Sequence, residues 1–171
     1  MKIDVLHPNI EKFQIRMDRN DPYYGKCMWA DILIDYDNYS ILALTDCGNY
    51  SYRWPVSKFE TFRELCLRML DDEEYLLSKF SKQSEFSIEE SRLLFTDLHK
   101  DDEQAYLISK INDMYACTAE EWVEALESHG VDDAWNYVVK EYPRDAVTFV
   151  YLLKNIVLPE MRKEQQKHES E

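Results

Sequence analysis

Glycine is scarce. Three glycines in 171 residues exclude a Gly-rich phosphate loop, which needs several within one turn. With only five prolines, they also argue against a disordered chain or a turn-rich β-sandwich. Cysteine is sparse and scattered. Cys27, Cys47, Cys66 and Cys117 are never closer than nineteen residues, so there is no Cys-x-x-Cys pair and no zinc-ribbon spacing. Buried structural thiols are expected, with Cys47, in a turn before Gly48, the most exposed. There is no His-Glu-x-x-His motif. His7, His99, His129 and His168 fall in turns, at helix ends or in the tail, and are expected in solvent. No apolar run approaches the roughly 18 residues of a membrane span, and Met1-Lys2-Ile3-Asp4-Val5 lacks the basic and apolar regions of a signal peptide. These absences predict an intracellular, cytoplasmic protein with reduced thiols, no membrane association, no catalytic motif, no cofactor and no resident metal.

The chain is rich in acid and aromatics. Its net charge is −14, with twelve Tyr, seven Phe and four Trp. Residues 1–80 hold ten Lys+Arg against fourteen Asp+Glu, and residues 81–171 hold ten against twenty. Such a balance keeps a protein soluble and excludes direct nucleic-acid binding, which needs Lys and Arg to neutralise phosphates. The length suits one domain, 1–171.

Residues 1–56 read as mainly β. Residues 3–6 are apolar and β-prone, and Phe13, Ile15 and Met17 alternate with Lys12, Gln14 and Arg16. In 27–36, Met28, Ala30, Ile32 and Ile34 fall on a core face, with Trp29, Asp31, Leu33 and Asp35 opposite. Turns at Asp37-Asn38-Tyr39 and Cys47-Gly48-Asn49 frame a strand over 40–45. Tyr50, Tyr52 and Trp54 then alternate with polar residues up to Pro55. Short sequential strands with tight turns imply an antiparallel meander.

Residues 57–166 read as mainly α. Phe59, Phe62, Leu65 or Cys66, and Met69 recur at helical steps. Asp71 or Asp72 caps a helix through Phe80. Ser87-x-x-Glu90 and Thr118-x-x-Glu121 are capping boxes, the latter opening a helix that stops at His129-Gly130. Residues 99–103 read as a bend or break. Asp132 or Asp133 begins a short helix that Pro143 ends. The last helix, from Arg144-Asp145, is apolar nearly all round, and Pro159 should kink or end it. Residues 167–171 read as a frayed tail. The whole predicts an α+β fold, an N-terminal meander packed on a C-terminal helical half.

Two sets of residues invite function. Glu120, Glu124 and Glu127 share one helix face beside Glu121. Asp132 and Asp133 follow a turn later, and Asp101, Asp102 and Glu103 form a second acidic knot. Acids four apart on a helix lie about 6 Å apart along the axis, against about 3.4 Å per charge on a DNA strand. Several such faces together would suit a basic nucleic-acid groove on another protein. The alternative set is Asp35, Asp46 and Asn49 at the meander's turn ends, a small-ligand, nucleotide or divalent-metal pocket of an enzyme. Asp31 and Asp35, about 13 Å apart at about 3.3 Å per residue, do not make a site alone. A third possibility is a homodimer formed through exposed aromatics.

Asp46-Cys47-Gly48-Asn49-Tyr50-Ser51-Tyr52-Arg53-Trp54, then Tyr75-Leu76-Leu77-Ser78-Lys79 and the Leu158-Pro159 step, resembles a family of small proteins encoded by bacteriophages and prophages. That family carries a D-x-G-N-Y-x-Y-x-W-like turn and strand followed by a Y-L-x-x-K-like helix. Pro55 stands where a glycine often follows the Trp. The motifs are structural and none is catalytic. The resemblance implies a phage accessory protein. Many small acidic phage proteins bind and block a host protein, including defence nucleases such as CRISPR effectors, and a non-enzymatic inhibitor of that kind is the leading expectation.

Overall fold

The computed structural model describes residues 3, 7–55, 60–99 and 105–169. The chain is an α+β protein with two compact units. One comprises residues 1–82 and 143–171, and the other residues 83–142.

In the first unit, β1 (Ile10–Arg16), β2 (Trp29–Asp35), β3 (Ser40–Thr45) and β4 (Gly48–Arg53) form an antiparallel meander in sequential order. Alternation decides the inner face: Ala30, Ile32, Ile34, Ile41 and Ala43 are buried. They pack on α1 (Phe62–Met69), α2 (Glu73–Phe80), α6 (Arg144–Leu152) and α7 (Leu158–Glu169) through Phe62, Cys66, Leu76, Phe149, Val157 and Met161. Thr61 caps α1 in a full box with Glu64, a start signal that the apolar spacing alone did not mark. Asp72 caps α2 by accepting from the Tyr75 amide, as its sequence suggests.

Several expectations change. Met28 is exposed and Cys27 is buried in its place, because β2 begins only at Trp29 and the residues before it no longer alternate. Asp35, expected on the outer face, is buried. Its carboxylate accepts from the amides of Asp37 and Asn38 and from Asn38 Nδ2, folding it back over its own turn. Ile3 is exposed and outside any strand. Residues 4–6, Phe59, and most of the bend expected at 99–103 lie outside the described residues.

Pro159 neither ends nor breaks the last helix. Residues Leu153–Val157 form one π-helical turn between α6 and α7, and the Leu158 amide bonds the Leu153 carbonyl five residues back. In an α-helical register a proline clashes with the carbonyl four residues before it. The wider turn relieves that clash, and Pro159 falls in the first turn of α7, where its missing N–H is harmless. Helix α7 runs to Glu169, where a frayed tail was expected.

The second unit holds α3 (Ile88–Leu98), α4 (Ala105–Asn112), α5 (Ala119–Ser128), a 3₁₀ turn at Ala134–Tyr137, and a two-residue ribbon of β5 (Glu85–Phe86) with β6 (Lys140–Glu141). Its own core gathers Phe95, Ile111, Trp122, Val123, Leu126 and Ala134. Ser87 caps α3 and Thr118 caps α5. Gly130, at φ +80°, turns the chain after α5. The short helix expected from Asp132 or Asp133 is only the 3₁₀ turn. Asp133 takes φ +54° and makes no side-chain cap, so nothing nucleates a full α-helical turn. Pro143 does not stop that segment; it is the cap residue of α6.

Candidate functional site

The structure concentrates the acid. Residues 83–142 carry fifteen Asp+Glu and four Lys+Arg, a net −11 within the chain's −14. On α5, Trp122, Val123 and Leu126 are buried, while Glu120, Glu124 and Glu127 are exposed at steps of four and three. Asp132 and Asp133 follow, also exposed. Among the described residues, no ion pair engages any of these five. Glu121 differs. Its Oε2 accepts from the Cys117 amide at 2.7 Å while its own amide donates to Thr118 Oγ1 at 3.2 Å. It caps the helix, and the reciprocal arm of the box reaches one residue further back than the motif predicts. Asp101, Asp102 and Glu103 lie outside the described residues. The same unit exposes Leu93, Leu98, Tyr106, Tyr115 and Trp135. Tyr and Trp are enriched where proteins bind one another.

The alternative set does not converge. Asp35 pairs with Ser40 at one end of the β2–β3 ladder, whereas Thr45, next to Asp46, pairs with Ala30 at the other. Five strand steps separate the two ends, about 17 Å at about 3.4 Å per residue. Asn49 lies opposite Leu44, at the Asp46 end. Each carboxylate serves its own turn. Burial pushes Asp35 upward, but the bonds from Asn38 and the Asp37 amide outweigh it and hold the carboxyl below its usual range. Burial acts likewise on Asp46, and there the Cys27 thiol and the amides of Met28 and Trp29 prevail.

Asp46 meets two thiols instead. Cys27 and Cys47, twenty residues apart, come together with it so that one ligand atom of each lies within 4.8 Å of the others. Cys47 is buried, contrary to the expectation that it would be the most exposed thiol, and Cys117 is the exposed one. The Cys47 amide bonds Thr45 Oγ1, and Tyr50 Oη donates to the Cys47 carbonyl, which turns this side chain inward. Of the histidines, His99 stacks on Phe95 with centroids 4.1 Å apart. It is therefore a packing residue rather than a solvated one.

A cleft of about 750 Å³ opens beside Glu11, Tyr36, Tyr39, Phe62 and Arg63. Arg63 donates to Glu11 at 2.9 Å, to Tyr36 Oη at 3.0 Å and to the Met161 carbonyl at 3.2 Å; Tyr36 also donates to Glu11. Burial, together with a hydrogen bond that the protonated Glu11 carboxyl donates to Glu164, raises the Glu11 carboxyl, and burial and Glu11 raise the Tyr36 phenol. This network ties β1, the end of β2, α1 and α7. The guanidinium is committed to it, so the arrangement is a lock rather than a ligand clamp. These residues are dispersed between positions 11 and 161, and no local motif marks them.

The outer face of the sheet is the last feature. Leu33 pairs across with Leu42, and Trp29, Leu42 and Leu44 are 37%, 41% and 55% exposed. Lys12 and Arg16 flank them, both paired with Asp31. The alternation that identified the inner face also places these residues outside, but does not show that Leu33, Leu42 and Leu44 line one shallow hollow.

The fold and these surfaces define a small α+β protein with a charge-segregated exterior. Residues 3–163 match the model of a phage family, and the chain belongs to that family. No curated protein and no solved structure matches it. Among the described residues, no helix is long and apolar enough to cross a membrane.

Proposed function

We propose that this phage protein acts without catalysis, by binding a host protein through the acidic unit at residues 83–142. The partner that fits is one with a basic nucleic-acid-binding groove, as in a nucleic-acid-handling or defence complex such as a CRISPR effector, and binding blocks it. One observation carries this reading: net −11 sits in 83–142, with Glu120, Glu124, Glu127, Asp132 and Asp133 exposed and, among the described residues, in no ion pair. Acids three and four apart on a helix repel by a few tenths of a kcal/mol. A basic partner converts that repulsion into attraction and speeds encounter. Exposed Tyr106, Tyr115 and Trp135 supply the apolar anchors that charge alone lacks. The test is capture from bacterial lysate with the intact chain, followed by release with competing duplex DNA. A DNA-releasable, basic partner supports the reading; captured proteins that DNA does not displace count against it.

A second reading rests on the sheet face. Trp29, Leu33, Leu42 and Leu44 form an apolar patch suited to a second copy of the chain, making a homodimer. Sedimentation showing a monomer for both the wild type and Leu44→Glu would exclude it.

A further inference from the structure

We propose that Cys27, Asp46 and Cys47 form a binding site for one thiophilic divalent cation of the zinc class. Cysteine thiolate and Asp carboxylate are both established ligands for such ions, with metal–sulfur bonds of about 2.3 Å and metal–oxygen bonds of about 2.0–2.2 Å. Tetrahedral binding at those lengths puts sulfur atoms about 3.8 Å apart. The three ligand atoms already lie within 4.8 Å of one another, so closure takes about 1 Å of side-chain movement.

The surroundings suit an ion. Cys27 and Cys47 are 1% and 4% exposed, which shields the sulfurs, while Asp46 is exposed and gives an entry path and a fourth position for water. Asp46 is aimed by the backbone: Oδ2 accepts from the Met28 amide at 2.8 Å and Oδ1 faces the Trp29 amide at 3.4 Å. Each oxygen keeps a lone pair, the outer-shell arrangement that fixes a metal-bound carboxylate. Thr45 Oγ1 sits 3.1 Å from Cys47 Sγ and gives its own proton to the Gly48 carbonyl at 2.7 Å. Without an ion, the Cys27 thiol lies between two acceptors, the Trp29 carbonyl at 3.3 Å and the Asp46 carboxylate. Each thiol releases its proton as its sulfur binds, two protons per ion.

The bound ion would staple the segment before β2 to the β3–β4 turn, independently of the acidic unit. The probe is Co²⁺ added to the reduced, chelator-stripped full chain. One equivalent should give thiolate-to-cobalt charge-transfer bands that one equivalent of Zn²⁺ abolishes. Cys27→Ser and Cys47→Ser should each lose the bands, and Cys117→Ser should keep them. Bands that survive either of the first two substitutions, or vanish in the third, overturn the site. A misfolded serine variant would lose the bands for another reason, so zinc X-ray absorption on the wild type provides a second reading. Two sulfur neighbours at about 2.3 Å are expected, and a shell without sulfur contradicts the proposal.

Discussion

Tyr50 lies flat against Phe149, with ring centroids 4.2 Å apart and planes 2° from parallel. Phe80 meets both rings edge-on, at 6.4 Å and 5.0 Å. One residue each from β4, α6 and α2 thus forms a single aromatic contact joining the sheet to its helices. Phe149→Ala should cost about 3–5 kcal/mol, measured by urea unfolding. In a double-mutant cycle, Tyr50 and Phe149 should couple by about 0.5–1.5 kcal/mol. Additive losses would mean that the stack contributes only buried area.

Gly48 is held by the same tyrosine. Its φ is +127°, and a Cβ there would stand 2.9 Å from Tyr50 Oη, the hydroxyl that bonds the Cys47 carbonyl. Gly48→Ala should therefore destabilise through both strain and clash, by about 1–3 kcal/mol. Adding Tyr50→Phe removes the closest contact but leaves two ring carbons at 3.1 and 3.2 Å and the backbone strain, so it should recover only part of the melting temperature. Full recovery would show that the backbone angle is unimportant.

Acid should weaken the sheet turns. Asp35 and Asp46 have folded-state pKa values below their unfolded ones, so folding binds fewer protons than the unfolded chain does. Their contribution is complete above the unfolded value of about 3.9 and is lost as pH falls through the folded values. Glu11, raised in the folded state, acts in the opposite sense. Asp35→Asn should flatten the dependence of unfolding free energy on pH below about 4, in a denaturant series over that range. An unchanged slope would remove Asp35 from the account.

Much of the fold is legible in the chain. Period-two alternation at 30–34 and 41–45 and the caps at Asp72, Ser87 and Thr118 mark their elements because each signal is local. The misses share a cause. Met28 was placed by extending an alternation past the strand's start. Pro159 reads as a kink or a stop, and the choice between them is not legible because a π turn leaves no residue-level signal. Asp35 reads as an outer-face acid because its turn bonds depend on the chain reversing. Of the candidate sites, the α5 acids stand where helical spacing puts them, and the structure adds that 83–142 is a compact unit of its own. Cys27 and Cys47, twenty residues apart, form no local motif; their proximity follows from strand register, which spacing does not encode.

Charge in the acidic unit should govern partner binding without governing stability. Glu120, Glu124 and Glu127 are exposed and repel one another, so a triple Lys variant should unfold within about 0.5 kcal/mol of wild type, as exposed substitutions usually do. A large stability loss would mean that these side chains are structural.

The most direct measurement is the affinity of the captured partner for wild type and for Glu120→Lys/Glu124→Lys/Glu127→Lys across a salt series. The account predicts wild-type binding that weakens steeply with salt, as expected of exposed charges screened over about 8–10 Å at physiological salt. It also predicts at least a tenfold loss in the folded variant, equivalent to about 1.4 kcal/mol. Equal affinities, or binding indifferent to salt, would contradict it.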